Sequence, residues 1–321
     1  PAPSAESAES EDLPLATAEQ VPEAVTRERP SAPKTRASRR VGAKSPAPAR
    51  PAVQDPHLDP EASQPNAVAT VWLHRVMPDP TPASLRLAPE TAARLRRAAR
   101  GARVDWTLLL GAVRADGSRE RVPVRQATLA ETAARLAELG ARKDAWGASL
   151  ALTGRTGAAD RAVALAKYYR AVGLQTLVDG LLARQDFLAK KVLADERVDM
   201  YAGGREDVEA GRIDVRVLAL VAYMAESYGQ VTVSSLFSGH RLYARPGVVS
   251  AHIYGQAVDF SALGGKPIWG NQEPGSVTEK AVRDILLLPA EMRPRQVISL
   301  LGLGGPSFPL ADHADHIHVG F

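Results

Sequence analysis

Residues 250–259 read SAHIYGQAVD, and this stretch predicts the local fold of the last third of the chain. The alternating pattern over residues 257–263 is typical of a strand. Gly255 and the small Ala257 allow the backbone to turn tightly just before that strand. His252 from the turn and Asp259 from the strand can therefore point at one cation.

A second stretch, residues 313–318 with the sequence HADHIH, places three histidines near the C-terminus. The two-residue period of a strand puts His316 and His318 on one face, with Asp315 on the other. Five of the seven histidines lie in the final 82 residues, together with Asp259. This clustering predicts a common site.

The chain contains no cysteine, so a metal ion must be held by histidines and carboxylates. Two histidines and one carboxylate are a common zinc set that leaves the fourth position for water, as in catalytic sites. The metal would acidify that water and polarise a carbonyl, and a nearby base would accept the proton.

The first stretch resembles the LAS metallopeptidases, which include lysostaphin-type enzymes, D-Ala-D-Ala metallopeptidases and the hedgehog signalling domain. Their motif S-x-H-x-x-G-x-A-x-D is matched by Ser250, His252, Gly255, Ala257 and Asp259. The resemblance covers about residues 211–321. It implies a small α+β domain with an antiparallel sheet.

By the same resemblance, the zinc ligands are His252, Asp259 and a later histidine, His318. The D-Ala-D-Ala branch has a catalytic Glu three residues before the last ligand, where this chain has Asp315. The pattern here is more similar to H-x-x-H-x-H of penicillin-insensitive murein endopeptidases. We therefore expect His316 to be the base, with Asp315 as the second candidate and His313 in support.

Arg241 is the fourth candidate catalytic residue. It ends the step SGHR at residues 238–241, which is similar to the family's S-G-Y-R. That arginine helps to hold the substrate or the developing oxyanion in the family. His240 replaces the usual tyrosine.

Residues 1–66 are rich in Pro, Ala, Ser and charge, without an aromatic residue, and predict a disordered tail or linker. Within them, residues 27–50 carry eight basic residues against one acidic residue. That run fits a solvated linker, or a segment that lies against an anionic wall polymer, a membrane surface or nucleic acid.

Residues 67–204 are expected to form a mainly α-helical domain after a strand at 68–76. Apolar residues at three- and four-residue spacing predict helices at 91–102, 105–113, 129–139, 161–172 and 174–193. Residues 201–211 are polar and contain glycines, which predicts a hinge.

Residues 205–321 are expected to form the metallopeptidase-like α+β domain. The predicted helices are 213–228 and 278–288, and the predicted strands are 231–237, 257–263, 296–301 and 316–321.

The helical region also resembles lytic-transglycosylase-like domains at residues 104–111 and 159–173. Those enzymes need a glutamic acid after their initial helix, where this chain has Arg114 and Asp116. The resemblance therefore implies lost glycosidic activity, and an unrelated helical spacer is the alternative.

The net charge of +4 and a pI near 9.4 come without a nucleic-acid-binding motif, so nucleic acid is not an expected partner. No apolar run is long enough to span a membrane. The sequence starts at Pro1 without an initiator Met and without a charged and apolar signal there, which would fit a processed protein or a chain trimmed to its mature form.

The expected function is that of a zinc-dependent peptidase outside the cytoplasm that hydrolyses peptidoglycan peptides, as a carboxypeptidase or an endopeptidase. The alternative is a zinc-binding, catalytically weak or inactive module that binds the cell wall. The oligomeric state stays open.

Overall fold

The computed structural model describes residues 77–115, 126–245 and 248–321, which belong to one compact unit. The expected tail over 1–66, the expected strand over 68–76 and Asp116 lie outside them.

Ten α-helices form in the described part of the chain. They are α1 (Pro89–Ala102), α2 (Trp106–Arg114), α3 (Gln126–Glu138), α4 (Ala145–Thr153), α5 (Thr156–Val172), α6 (Leu174–Asp179), α7 (Gln185–Ala194), α8 (Ala202–Glu209), α9 (Val215–Tyr228) and α10 (Val277–Leu286). Seven of them, α1 to α7, end before residue 205.

One short strand precedes α8, and the other strands follow α9. They are β1 (Val198–Met200), β2 (Val231–Ser235), β3 (Tyr243–Arg245), β4 (Val248–Val249), β5 (Ala257–Leu263), β6 (Lys266–Pro267), β7 (Gln296–Ser299), β8 (Ser307–Pro309) and β9 (Ile317–Gly320). The α+β class predicted from the sequence is confirmed.

The main sheet has the strand order β1-β2-β5-β9-β7-β8, and β6 pairs with β5. The pairs β2–β5, β5–β9 and β7–β9 are antiparallel, whereas β1–β2 and β7–β8 are parallel. The expectation of an antiparallel sheet is therefore wrong for its two edges. The centre of the sheet, which holds β5 and β9, is antiparallel as expected.

Helix α9 is the central helix of the unit. Eleven of its fourteen residues are buried, and it packs against α5, α7, β2 and β5. A helix that is apolar on all sides is stable only when it is surrounded by other elements. The helical region and the C-terminal segment consequently share one hydrophobic core.

The segment 201–211 is not a hinge, as its glycines had suggested, because it contains α8. The expected boundary between residues 204 and 205 falls inside this helix. Asp207 on α8 is fully buried and accepts hydrogen bonds from the backbone N–H and the hydroxyl of Ser238, both at 2.6 Å. Helix α8 thereby holds the loop that follows β2.

No helix of the described residues is long and apolar enough to cross a membrane.

Candidate metal centre

Asp259 and His318 are direct neighbours in the centre of the sheet. Asp259 on β5 is paired with His318 on β9 and, on its other side, with Ser235 on β2. Side chains of directly paired residues lie on the same face of a sheet. The strand pairing therefore brings together two predicted ligands that are 59 residues apart in sequence.

His252 reaches the same point from a short 3-10 helix, Ala251–Tyr254. The Ser250 hydroxyl begins this turn by accepting a hydrogen bond from the His252 N–H, at 3.3 Å. Gly255 ends it with a φ of +64°, and a Cβ at Gly255 would lie 1.9 Å from the carbonyl oxygen of Arg212. Glycine is required there on both grounds, which gives the tight turn expected from the motif.

The ligand atoms of these three side chains converge. His318 Nδ1 lies 2.8 Å from Asp259 Oδ1, and His252 Nε2 lies 3.1 Å from both Asp259 Oδ2 and His318 Nδ1. Tetrahedral zinc with bonds of 2.0–2.1 Å requires ligand atoms about 3.3 Å apart. The triad is thus only a few tenths of an ångström tighter than such a ligand set.

Partners behind the rings hold both histidines in place. His252 Nδ1 lies 2.8 Å from the carbonyl oxygen of Leu236, and His318 Nε2 lies 2.9 Å from the amide nitrogen of the partly buried Gln296. Outer partners of this kind orient metal-binding histidines. A ligating Nδ1 on His318 needs the hydrogen on Nε2, so in the metal-bound form the amide oxygen of Gln296 would face that ring nitrogen. Neither Leu236 nor Gln296 was predicted from the sequence in this role.

The tautomer of His252 makes the site suitable for a cation. Because the Leu236 carbonyl only accepts, Nδ1 carries the hydrogen, and the neutral ring presents a lone pair at Nε2. That lone pair faces Asp259 Oδ2, a buried oxygen that accepts no hydrogen bond from the described residues. A proton or a metal ion between the two atoms relieves their repulsion.

The protonation states suit metal binding. Burial alone would raise the pKa of Asp259, but the neighbouring imidazoles of His252, His316 and His318 hold that pKa well below its ordinary value. Burial lowers the pKa of His318. An ionised carboxylate and a neutral imidazole are the forms that bind metal ions.

His240 belongs to the same cluster, although the sequence analysis did not place it among the ligands. Its ring stacks on that of His252 with centroids 4.3 Å apart and an angle of 11°. His240, His252 and Asp259 offer donor atoms that all lie within 4.8 Å of one another, and this group could hold a metal ion. The sequence feature that could have indicated His240 as a member of the cluster is the replacement of tyrosine by histidine in SGHR.

His316 and His313 lie at the edge of the cluster. His316 Nε2 is 4.0 Å from Asp259 Oδ1, and the His313 ring centroid is 4.6 Å from that of His316 and 5.9 Å from that of His318. His316 Nδ1 lies 2.8 Å from Asp315 Oδ1. The carboxylate of Asp315 is therefore behind the His316 ring.

Arg241 follows His240 at the partly buried edge of the site. The contact between them joins the His240 side chain to the Arg241 backbone: the Arg241 carbonyl accepts a hydrogen bond from His240 Nδ1 at 2.9 Å. This contact leaves His240 Nε2 as the atom that can turn toward Asp259.

No protein-family model, no curated protein and no solved structure matches the chain.

Proposed function

We propose that the protein is a zinc-dependent peptidase that hydrolyses amide bonds in bacterial peptidoglycan peptides, outside the cytoplasm. The convergence of His252 Nε2, Asp259 and His318 Nδ1 within 3.1 Å, in a buried site with an unsatisfied carboxylate oxygen, supports this proposal. A zinc ion held by these residues would supply Lewis acidity to the scissile carbonyl and to the attacking water.

His316 is suited to accept the proton of that water. The contact with Asp315 fixes the hydrogen on Nδ1, which leaves Nε2 as the basic nitrogen on the side of Asp259. The arrangement resembles other base–orienting-group pairs, in which a carboxylate orients an imidazole. His313 or Arg241 would steady the developing oxyanion.

Replacement of a ligand tests the proposal. His318→Ala should abolish both stoichiometric zinc retention and the release of new termini from purified muropeptides, measured by metal analysis and mass spectrometry. His57→Ala, which lies outside both histidine motifs, is the control and should behave as the wild type. Cleavage at the wild-type rate by the His318 variant would refute the ligand assignment.

A second candidate is a wall-binding module without hydrolysis, and His240 is the observation that favours it. If His240 joins His252, Asp259 and His318, all four positions around zinc are filled by protein, as in structural sites. Stoichiometric zinc with no cleavage of any muropeptide by the wild-type chain would support this candidate.

A further inference from the structure

A cavity of about 450 Å³ lies apart from the histidine cluster, and none of the five clustered histidines lines it. Its walls come from α4, α5, α9 and α10, with side chains that include Trp146, Asp160, Lys167 and Glu279. The volume is within the range of small-ligand sites, about 300–1,000 Å³. The peptidase proposal leaves this cavity without a role.

Trp146 supplies a flat apolar surface to the cavity. Its side chain is 41 % exposed, unusual for a tryptophan, and Nε1 donates a hydrogen bond of 2.7 Å to Asp160 Oδ1. The indole is thereby held in one orientation with its polar atom already satisfied. A ring fixed in this way is suited to stacking against a ligand.

Lys167 supplies a cation without a direct ion pair among the described residues, although the carboxylates of Asp284 and Glu226 act on it from a distance. It is partly buried, and it makes no hydrogen bond or ion pair with the residues of the described ranges. The other cations of the lining are paired, Lys280 with Asp284 and Arg283 with Glu279, each at 2.5 Å. Burial and the charge of Lys280 lower the pKa of Lys167 against the opposing charges of Asp284 and Glu226, so an anionic ligand in direct contact would further stabilise its ammonium form.

The walls favour a saccharide over a peptide. Helices use their backbone hydrogen-bonding groups internally, so an extended peptide finds no strand edge to pair with here. The polar groups that face the cavity are side chains such as those of Asp160, Ser276 and Glu279, which match scattered hydroxyl groups. The lysine adds a preference for one carboxylate.

We propose that this cavity binds a saccharide bearing a carboxylate, with a sugar ring on Trp146 and the carboxylate at Lys167. The proposal rests on the proposed wall function, and the saccharide is then the glycan strand of peptidoglycan, whose muramic acid residues carry a free lactyl carboxylate wherever the stem peptide has been removed. The cavity would hold the protein on such peptide-free residues while the histidine site acts on peptides that remain elsewhere on the strand.

The test uses the full chain and two oligosaccharides of equal length. One is peptide-free wall glycan with free lactyl carboxylates, and the other is an N-acetylglucosamine oligomer without them. Isothermal titration calorimetry should show tighter binding of the carboxylated glycan by about tenfold or more, the size of one charge-assisted hydrogen bond.

Variants assign that preference to the cavity. Lys167→Met should remove the preference, and Trp146→Ala should weaken both oligosaccharides by about tenfold or more, as loss of an aromatic contact does. Lys190→Met, an exposed lysine of α7, is the matched control. If Trp146→Ala fails to fold, Trp146→Phe keeps the ring and should bind more weakly than the wild type.

Equal binding of the carboxylated glycan by the wild type and Lys167→Met, or no binding of either oligosaccharide, would overturn the proposal. His318→Ala separates it from the peptidase function, because this variant should keep glycan binding. Glycan binding without muropeptide cleavage in the wild type would contradict only the peptidase proposal.

Discussion

His316 differs from the buried histidines of the cluster in two ways. The carboxylate of Asp315 contacts one of its ring nitrogens, and its side chain is partly exposed to solvent. Its side chain is 14 % exposed, against 0 % for His252, and Asp315 itself is 45 % exposed. A base must be reachable by substrate and water, whereas a ligand is best enclosed. The two roles are therefore expected to respond differently to replacement.

His316→Ala should keep zinc but lose turnover by about 100-fold to 10,000-fold, the usual contribution of a general base. Asp315→Asn should cause a smaller loss, because the amide still accepts a hydrogen bond from His316 Nδ1. The measurement is kcat on a purified muropeptide, with metal content determined on the same samples. A greater loss for Asp315→Asn than for His316→Ala would make Asp315 the base.

The sequence predicted which side chains come together better than it predicted the full cluster. Strand alternation and the turn at Gly255 are local, so the spacing could predict that His252 lies near Asp259 and that His316 lies on the side of His318, although β9 begins only at Ile317. His240 stacks on His252 only because α8 holds the loop after β2, through the hydrogen bonds between Asp207 and Ser238. The spacing of residues along the sequence does not predict a tertiary contact of this kind.

At the level of elements, the main error in the helical region was to predict one helix over 174–193. Gly180, with a φ of +94°, ends α6, and α7 begins only at Gln185. The apolar spacing continues across the break, so periodicity alone does not show it. Helix α4 was missed for a different reason, since AWGASLALT is apolar almost throughout and shows no helical periodicity.

Helices α2 and α5 approach closely at Gly111. A Cβ there would lie 2.3 Å from the backbone carbonyl oxygen of Ala162. Gly111→Ala should therefore lower the free energy of unfolding by about 1–3 kcal/mol through overpacking. Gly101→Ala on α1, where nothing lies within 4 Å, is the control and should raise it by about 0.5–1 kcal/mol. Urea denaturation of both variants measures the contrast, and equal shifts would contradict the close approach.

Arg170 on α5 ties three helices together. It binds Asp105, the N-cap of α2, at 2.5 Å and Glu226 on α9 at 3.0 Å. Burial raises the pKa of Asp105, but hydrogen bonds from Arg170 and Thr107 outweigh it and bring that pKa below its ordinary value. A lowered carboxyl pKa stabilises the fold above the unfolded-state value, and this contribution is lost as pH falls through the folded-state value.

Asp105→Asn isolates that charge, because asparagine keeps the helix cap. Since Arg170 is 48 % exposed, solvent screens the pair, and we expect a loss of less than about 1 kcal/mol near neutral pH. The difference from the wild type should vanish once the pH has fallen below the folded-state pKa of Asp105, as measured by urea denaturation. Asp144→Asn, a cap replacement on α4 without an arginine partner among the described residues, is the control. A difference that persists in acid would assign the effect to the cap.

For the whole molecule, the shared core has a consequence that a two-domain organisation would not have. Helix α9 packs against α5 and α7 of the helical region and also against β2 and β5, and β5 carries Asp259 of the histidine cluster. Elements that share one core unfold together in a cooperative transition. Binding energy gained at the histidine cluster should consequently stabilise helices that do not touch it.

Zinc at about 100 times its Kd should stabilise the entire described unit by about 2.7 kcal/mol, since it binds the folded state alone. Trp106 and Trp146 lie in the helical region, and Trp269 lies in the C-terminal segment. A variant that keeps only Trp106 and Trp146 reports by fluorescence on the helical region, and a variant that keeps only Trp269 reports on the C-terminal segment. Both parts should show the same unfolding midpoint, and zinc should raise both equally. His318→Ala should show no zinc-dependent shift, because the ligand is gone. The contrary outcome is that zinc raises only the unfolding midpoint reported by Trp269 and leaves that of the helical region unchanged. That result would mean that α9 does not couple the two parts, and that the shared core contributes less to cooperativity than its burial indicates.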